Sequence, residues 1–243
     1  MVNFNEKNEI IILVHGFFRG KPDMFPLKEL LHKFDYEIFM ANLPTTFTSF
    51  NGCCSSFELQ FNDDSLKLSR YKKIHFVGHS MGGLIVRNFL SRNKLSNIGR
   101  CVLIATPNNG SVLAEILSKL IFPPKIFKPL KYLRPSAPEI AKPLNSDPID
   151  FGVIAGNNNK LLAGKLFMFK KGGDGRVETD STKFDLMTDF AELPYDHHTI
   201  HHQKETALLI CNFLKTGKFL VSPAQVVMNE VQCLDIRGTE RDS

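Results

Sequence analysis

The central part of the chain reads IHFVGHSMGG over residues 74–83. An apolar run, Ile74–Val77, is followed at once by the pattern G-x-S-x-G, and apolar residues with helical spacing continue from Leu84 to Leu90. This order predicts a buried strand, a very tight turn and a helix. A serine in such a turn takes a strained backbone conformation, and glycine two residues to either side lets the neighbouring chain approach. We therefore expect the hydroxyl of Ser80 to be held exposed at a strand end.

Apolar runs of strand length recur on both sides of this segment, and residues with helical periodicity separate most of them. The predicted strands are Ile10–Val14, Tyr36–Met40, Ile74–Val77, Cys101–Ala105, Phe151–Ala155, Leu166–Phe169 and Met187–Leu193. The alternation predicts an α/β fold with a minimal, mostly parallel sheet of about six strands and helices on both faces. Ligands in such sheets bind at the carboxyl ends of the strands.

Local signals indicate where two of the helices begin or end. Ser55 and Glu58 are three residues apart and form a candidate capping box for the second helix. The last predicted helix runs from Lys204 to Lys215 and is stopped by Gly217.

The composition is that of an ordinary globular protein, with 243 residues of which 43% are hydrophobic and 23% charged. We predict a single domain over residues 1–220 with a cap-like insertion at about 112–148. We assign no role to the tail at 221–243, and no oligomeric state is predicted.

Charge and cysteine usage restrict the partners and the compartment. The net charge is +5, without a basic stripe interleaved with aromatic residues, so we predict no nucleic-acid partner. The five cysteines include the adjacent pair Cys53 and Cys54, which favours a reducing compartment. The sequence shows no secretion signal and no apolar stretch near the ~20 residues needed to cross a bilayer. We expect a cytoplasmic protein.

Three motifs together resemble the α/β-hydrolase superfamily, and within it the small lipase and serine-esterase branch. They are VHGF at 14–17, GHSMGG at 78–83 and ATPNNGS at 105–111. The resemblance implies a serine hydrolase whose nucleophile, acid and histidine follow one another in that order along the chain. It implies neither a cofactor nor a metal.

A serine hydroxyl is a weak nucleophile and needs an imidazole to accept its proton and an acid to orient that imidazole. Ser80 is the predicted nucleophile. The resemblance places the acid at Asp174, in the turn GGDGRV at 172–177. Four other aspartates are weaker candidates: Asp147, Asp150, Asp180 and Asp185.

The histidine is harder to assign because four of them crowd residues 197–202. The segment LPYDH at 193–197 resembles the strand end that delivers the family's catalytic histidine, which favours His197, with His198 as the alternative base. Imidazoles four residues apart can also share a metal, but neither H-E-x-x-H nor a cysteine or carboxylate partner accompanies them. We predict no metal site and expect the spare histidines to lie in a solvated loop.

The resemblance also implies an oxyanion hole made by the backbone N–H groups of Phe17 and Met81, with His15 bracing the loop before Phe17. In the predicted cap, apolar residues are mixed with lysines, which suits an acyl chain or peripheral contact with an anionic membrane surface. The predicted function is hydrolysis of small-molecule or lipid esters through an acyl-enzyme. A thioesterase or acyltransferase with the same triad, and a catalytically silent binding protein, are the alternatives.

Overall fold

A computed structural model describes residues 8–111, 133, 149–158 and 172–219 of the chain. These residues contain a six-stranded sheet in which every pair of neighbouring strands is parallel. The strands are β1 (Glu9–Val14), β2 (Glu37–Met40), β3 (Lys73–His79), β4 (Ile98–Ile104), β5 (Phe151–Gly156) and β6 (Met187–Leu193). The α/β fold class is confirmed, and the sheet is wholly rather than mostly parallel among these strands.

Five α-helices accompany the sheet in the described residues. They are α1 (Phe25–His32), α2 (Phe50–Phe61), α3 (Met81–Leu90), the single turn α4 (Thr179–Thr182) and α5 (Lys204–Thr216). As predicted, α5 is followed by Gly217, which adopts φ +78° and so ends the helix in a left-handed conformation.

The hydrophobic core has two halves because successive side chains of a strand point to opposite faces. In β1, Ile10, Ile12 and Val14 pack with α2 and α3, whereas Ile11 and Leu13 pack with α1 and α5. Both faces of the sheet are thereby covered by helices. This explains why β1 is a continuous apolar run and not an alternating one.

The strand order is β2-β1-β3-β4-β5-β6, so β1 lies between β2 and β3 and the order reverses there. The carboxyl ends of β1 and β3 are side by side, with Val14 paired to Gly78. In open parallel sheets this reversal point is where ligands bind. The sheet therefore brings the loop after β1 and the turn after β3 to one place.

The predicted start of the second helix at Ser55 is wrong. The helix α2 begins at Phe50, and the Oγ of Ser49 accepts a hydrogen bond from the N–H of Gly52 at 3.2 Å. Ser49 has the extended backbone of an N-cap residue, so it satisfies an amide that Ser55, inside the helix, cannot reach.

Several predictions fall on other parts of the chain. The strand at Leu166–Phe169, the tail at 221–243 and the cap at about 112–148, apart from Leu133, lie outside the described residues. The domain boundary near residue 220 likewise stays a prediction. No helix in the described ranges has the length and apolar character needed to span a membrane.

Candidate active site

Ser80 occupies the turn between β3 and α3. Its backbone has φ +54° and ψ −127°, which confirms the strained conformation predicted from the G-x-S-x-G pattern. Its N–H donates to the carbonyl of Ile104 at 2.9 Å, and its carbonyl accepts from the N–H of Gly83 at 3.0 Å. The residue is 8% exposed, less than the exposed hydroxyl that the sequence led us to expect.

The glycines of the turn allow α3 to start directly against the sheet. A Cβ on Gly82 would lie 2.2 Å from the carbonyl oxygen of Val14, and one on Gly78 would lie 2.5 Å from the Cα of Gly83. Both contacts are with backbone atoms, which cannot rotate away as a side chain can. The spacing of glycines in the motif is therefore a packing requirement of β1, β3 and α3 together.

His197 lies within hydrogen-bonding distance of two residues that are distant from it in sequence. The Nε2 of His197 is 3.0 Å from the Oγ of Ser80, and its Nδ1 is 2.7 Å from the Oδ2 of Asp174. An ionised carboxylate only accepts, so Nδ1 carries the proton and Nε2 has a free lone pair directed at the hydroxyl. This arrangement has the geometry needed for an imidazole to take a proton from a serine.

The carboxyl group of Asp174 is fixed by its own turn. Its Oδ1 accepts from the N–H groups of Arg176 at 2.9 Å and Val177 at 2.8 Å, which leaves Oδ2 for His197. The carbonyl of Asp174 accepts the backbone N–H of His197 at 3.0 Å, so the two loops are also joined through the main chain. Asp174 is 1% exposed and His197 is 5% exposed.

The competing aspartates have other surroundings. Asp150 pairs with Arg100 at 2.9 Å, and Asp180 pairs with Lys183 at 3.0 Å on the surface. Asp185 lies in the exposed turn before β6, and Asp147 lies outside the described residues. Asp174 is the carboxylate that bonds to His197.

His198, the alternative base, points elsewhere. Its Nδ1 accepts a hydrogen bond from Nη2 of Arg19, and its ring stands edge-on to that of His197, with centroids 6.1 Å apart. Burial, together with the nearby charges of Arg176 and Arg19, lowers the pKa of His198 to about 4. Of the two candidate bases, the structure brings His197 to Ser80.

Two buried histidines that the sequence reasoning missed support the loop of His197. The ring of His79 stacks on that of His201, with centroids 3.9 Å apart, and its Nε2 donates to the carbonyl of His197 at 3.0 Å. His201 bonds through Nε2 to the Oδ2 of Asp23 at 3.1 Å. His201 is fully buried, so the expectation of a solvated loop is wrong for it.

Asp23, His201 and His202 offer ligand atoms that lie within 4.8 Å of one another, which is the spacing of a candidate metal site. A histidine that binds a metal usually donates its other ring N–H to an acceptor. The Nδ1 of His201 is buried and has no hydrogen-bond partner in the described part of the chain. The surroundings of His201 therefore fit its hydrogen bond to the carboxylate of Asp23 better than they fit a bound metal.

Both residues predicted to form the oxyanion hole adjoin the serine turn through the chain, since Met81 follows Ser80 and Phe17 follows Gly16. A Cβ on Gly16 would be 2.9 Å from the Cβ of Ser80, so the loop that continues into Phe17 lies against the serine. Met81 is the first residue of α3, and an N–H at that position has no acceptor within its own helix. His15 accepts the N–H of Leu43 at 3.0 Å through Nε2, consistent with bracing the loop.

The pKa values of three buried histidines lead to a prediction of how stability depends on pH. Burial lowers the pKa of His15, His79 and His201 in the folded protein. Below pH ~6.5 the unfolded chain therefore binds protons that the folded chain does not, so stability falls as the pH is lowered. Each histidine that stays neutral when folded contributes a slope of up to about 1.4 kcal/mol per pH unit.

Urea unfolding at intervals from pH 8 to pH 5 measures this slope. We expect His201→Gln to reduce it and His32→Gln, at an exposed position, to retain the slope of the wild type. A free energy of unfolding that is constant from pH 8 to pH 5 would contradict the assignment of neutral buried imidazoles.

Comparison with known proteins agrees with this architecture. Residues 9–122 match a family model described as the alpha/beta hydrolase fold. A lipase of Bacillus licheniformis in its mature form has a TM-score of 0.66 and 16% identity, with 88% of this chain and 93% of the lipase covered. A metagenomic carboxyl esterase has a TM-score of 0.64 and 14% identity, with 93% of this chain and 77% of the esterase covered. No curated protein matches the chain.

A phospholipase of Legionella pneumophila has a TM-score of 0.70 and 17% identity over 96% of this chain. This chain spans 63% of the length of that phospholipase. The chain has the α/β-hydrolase fold, which confirms the fold that the resemblance of its motifs implied. Its neighbours among solved structures include lipases and esterases, with which it shares the fold.

Proposed function

We propose that the protein is a serine hydrolase that cleaves carboxylic esters through an acyl-enzyme. In this proposal Ser80 is the nucleophile, His197 is the general base and then the general acid, and Asp174 orients His197. The observation that supports it most is the continuous hydrogen-bonded series from Ser80 Oγ through the imidazole of His197 to the carboxylate of Asp174.

The proposed reaction begins when Ser80 Oγ attacks the ester carbonyl while its proton passes to Nε2 of His197. The carbonyl oxygen becomes an oxyanion, and the C–O bond to the alcohol then breaks as His197 returns the proton to the leaving oxygen. Water, activated by the same imidazole, attacks the acyl-enzyme and releases the acid and free Ser80. Each proton transfer is assigned to His197, so the cycle requires no cofactor.

The backbone N–H groups of Phe17 and Met81 are proposed to stabilise the oxyanion. Both positions are supported by the resemblance and by their place in the fold, after β1 and at the start of α3. Loss of one such donor usually lowers the rate by ~10²- to 10³-fold. Because the donors belong to the main chain, side-chain substitutions at these positions do not remove them.

The proposed substrates are esters of small molecules or lipids, in keeping with the lipases, the phospholipase and the esterase that share the fold. Binding of an acyl chain or of a membrane surface by residues 112–148 stays a prediction, as does the cytoplasmic location.

A fluorophosphonate probe tests the proposed nucleophile directly, because it phosphonylates an activated serine. We expect wild-type protein to be labelled at Ser80 and the Ser80→Ala variant not to be labelled, as read by mass spectrometry of peptides. Cys53 and Cys101 are buried, and burial raises the pKa of the Cys53 thiol to about 11 and that of Cys101 further, so these thiols do not compete. The proposal would be contradicted if the probe labelled another residue, or if it did not label the folded wild-type protein at all.

A further inference from the structure

We propose that Arg19 and Arg176 form an anion-binding subsite beside the triad, and that this subsite selects esters carrying a carboxylate or phosphate group. The inference rests on the proposed function, which it extends by naming the substrate class. It assigns to two arginines a role that the hydrolytic steps do not use.

Both arginines are carried by loops that hold the proposed catalytic groups. Arg19 lies two residues after Phe17 in the loop that follows β1, and Arg176 lies two residues after Asp174. The backbone N–H of Arg176 bonds to Asp174 at 2.9 Å, so its place relative to the triad is set by the same turn that fixes the acid. Arg19 reaches the same region, because its Nη2 donates to His198, the residue next to His197.

The guanidinium of Arg176 lacks a compensating partner among the described residues. The residue is partly buried, and no hydrogen bond or ion pair from the described ranges reaches its side chain. The nearby carboxylate is Asp174, whose two oxygens are already occupied by two backbone amides and by His197. Burial lowers the pKa of Arg176, and the charge of Arg19 lowers it more than that of Asp174 raises it.

Arg19 adds a second positive charge to this region. Its contact with a carboxylate is to Asp23, at 3.7 Å from Nε, and the same carboxylate also bonds to His201 at 3.1 Å. His198, which contacts Arg19, has its pKa lowered to about 4 by burial and by the two arginines, so it is neutral near pH 7 and brings no charge of its own. Arg176 therefore has no ion-pair partner of its own among the described residues, and Arg19 shares its one carboxylate, Asp23, with His201.

A partly desolvated pair of like charges is unfavourable unless an anion compensates it. Guanidinium groups are suited to this because their planar set of donors matches the oxygens of a carboxylate or phosphate. An anionic group bound there holds the rest of the ester next to Ser80. The subsite therefore favours substrates that carry such a group near the scissile bond.

The test compares matched esters that differ in one charge. On the alcohol side these are the butanoyl ester of 4-hydroxybenzoate and that of its methyl ester; on the acyl side they are 4-nitrophenyl hydrogen adipate and 4-nitrophenyl hexanoate. We expect Arg176→Gln to lower the ratio of kcat/KM for the anionic over the neutral ester by ~10- to 100-fold in at least one pair, as for loss of a charged hydrogen bond. Added salt should lower the same ratio in the wild type.

Arg92→Gln is the matched control, since it removes an exposed guanidinium two residues beyond the end of α3. That end of the helix lies ~15 Å from Ser80, at a rise of ~1.5 Å per residue. An unchanged ratio for Arg176→Gln in both pairs would overturn the subsite, as would an equal decrease in Arg92→Gln.

A second measurement does not depend on turnover. Inorganic phosphate and acetate are titrated while the ring resonances of His198 are followed by NMR, because an anion next to the arginines offsets the charges that lower its pKa. We expect the pKa of His198 to rise with phosphate or acetate in the wild type, and the anion with the larger effect identifies the preferred group. Absence of any effect of either anion, or the same effect in Arg176→Gln, would overturn the subsite.

If the wild type hydrolyses none of the four esters and is not labelled by the fluorophosphonate, the proposed function is wrong. The NMR titration then decides the anion subsite by itself. If the esters are cleaved but the ratio of kcat/KM for the anionic over the neutral ester is the same in Arg176→Gln as in the wild type, the hydrolase proposal stands and the subsite is wrong.

Discussion

Replacement of Ser80 by alanine is expected to lower ester turnover by ~10³-fold or more while the protein remains folded. The Oγ of Ser80 is the atom that faces Nε2 of His197 at 3.0 Å, and alanine removes this atom alone. The unusual backbone angles at this position are held by the surrounding glycine contacts and by the hydrogen bond to Ile104, both of which an alanine retains. The stability of the variant should therefore stay close to that of the wild type.

Steady-state kinetics with a neutral ester measures the loss, and circular dichroism with thermal unfolding measures the fold. Ser55→Ala is the control: it removes an exposed hydroxyl in the middle of α2 and should keep full activity. Turnover by Ser80→Ala within tenfold of the wild type would show that another group is the nucleophile.

His197→Ala and His198→Ala are expected to differ by ~10²-fold or more in kcat for a neutral ester. The alanine at 197 removes the imidazole that bonds to both Ser80 and Asp174, whereas the carbonyl that accepts from His79 is retained. We expect ~10³-fold or more loss there and at most about tenfold loss at 198.

Parallel measurement of the two variants on one substrate decides between the two bases. Comparable losses in both, or the greater loss in His198→Ala, would mean that His198 moves into the role of base during the reaction. Thermal unfolding of both proteins is needed beside the rates, since residue 197 is buried and a general loss of structure would mimic loss of the base.

The main architecture could be predicted because its signals are local. Each predicted strand within the described residues is present, and β3, its turn and α3 follow directly from one pentapeptide and the apolar residues around it. The start of α2 was missed because the spacing of Ser55 and Glu58 was taken as its signal. Ser49 has glycine and not glutamate three residues later, yet its extended backbone makes it the cap of α2.

Residues of the candidate site could be predicted where they belong to a recognisable local sequence pattern. Contacts between side chains that are far apart in the sequence could not be predicted. Ser80, Asp174 and His197 follow strands or turns with recognisable patterns, and the structure brings all three together. The stacking of His79 on His201 joins residues that are 122 positions apart and leaves no trace in local spacing. The meeting of Arg19 and His198 is of the same kind.

The contact of Gly82 with the end of β1 ties the serine turn to the middle of the sheet. A turn packed this closely cannot move independently of the sheet. Its backbone angles can change only when the central strands separate from α3. Inactivation by heat or denaturant should accordingly coincide with global unfolding, without an earlier stage in which a folded but idle form accumulates.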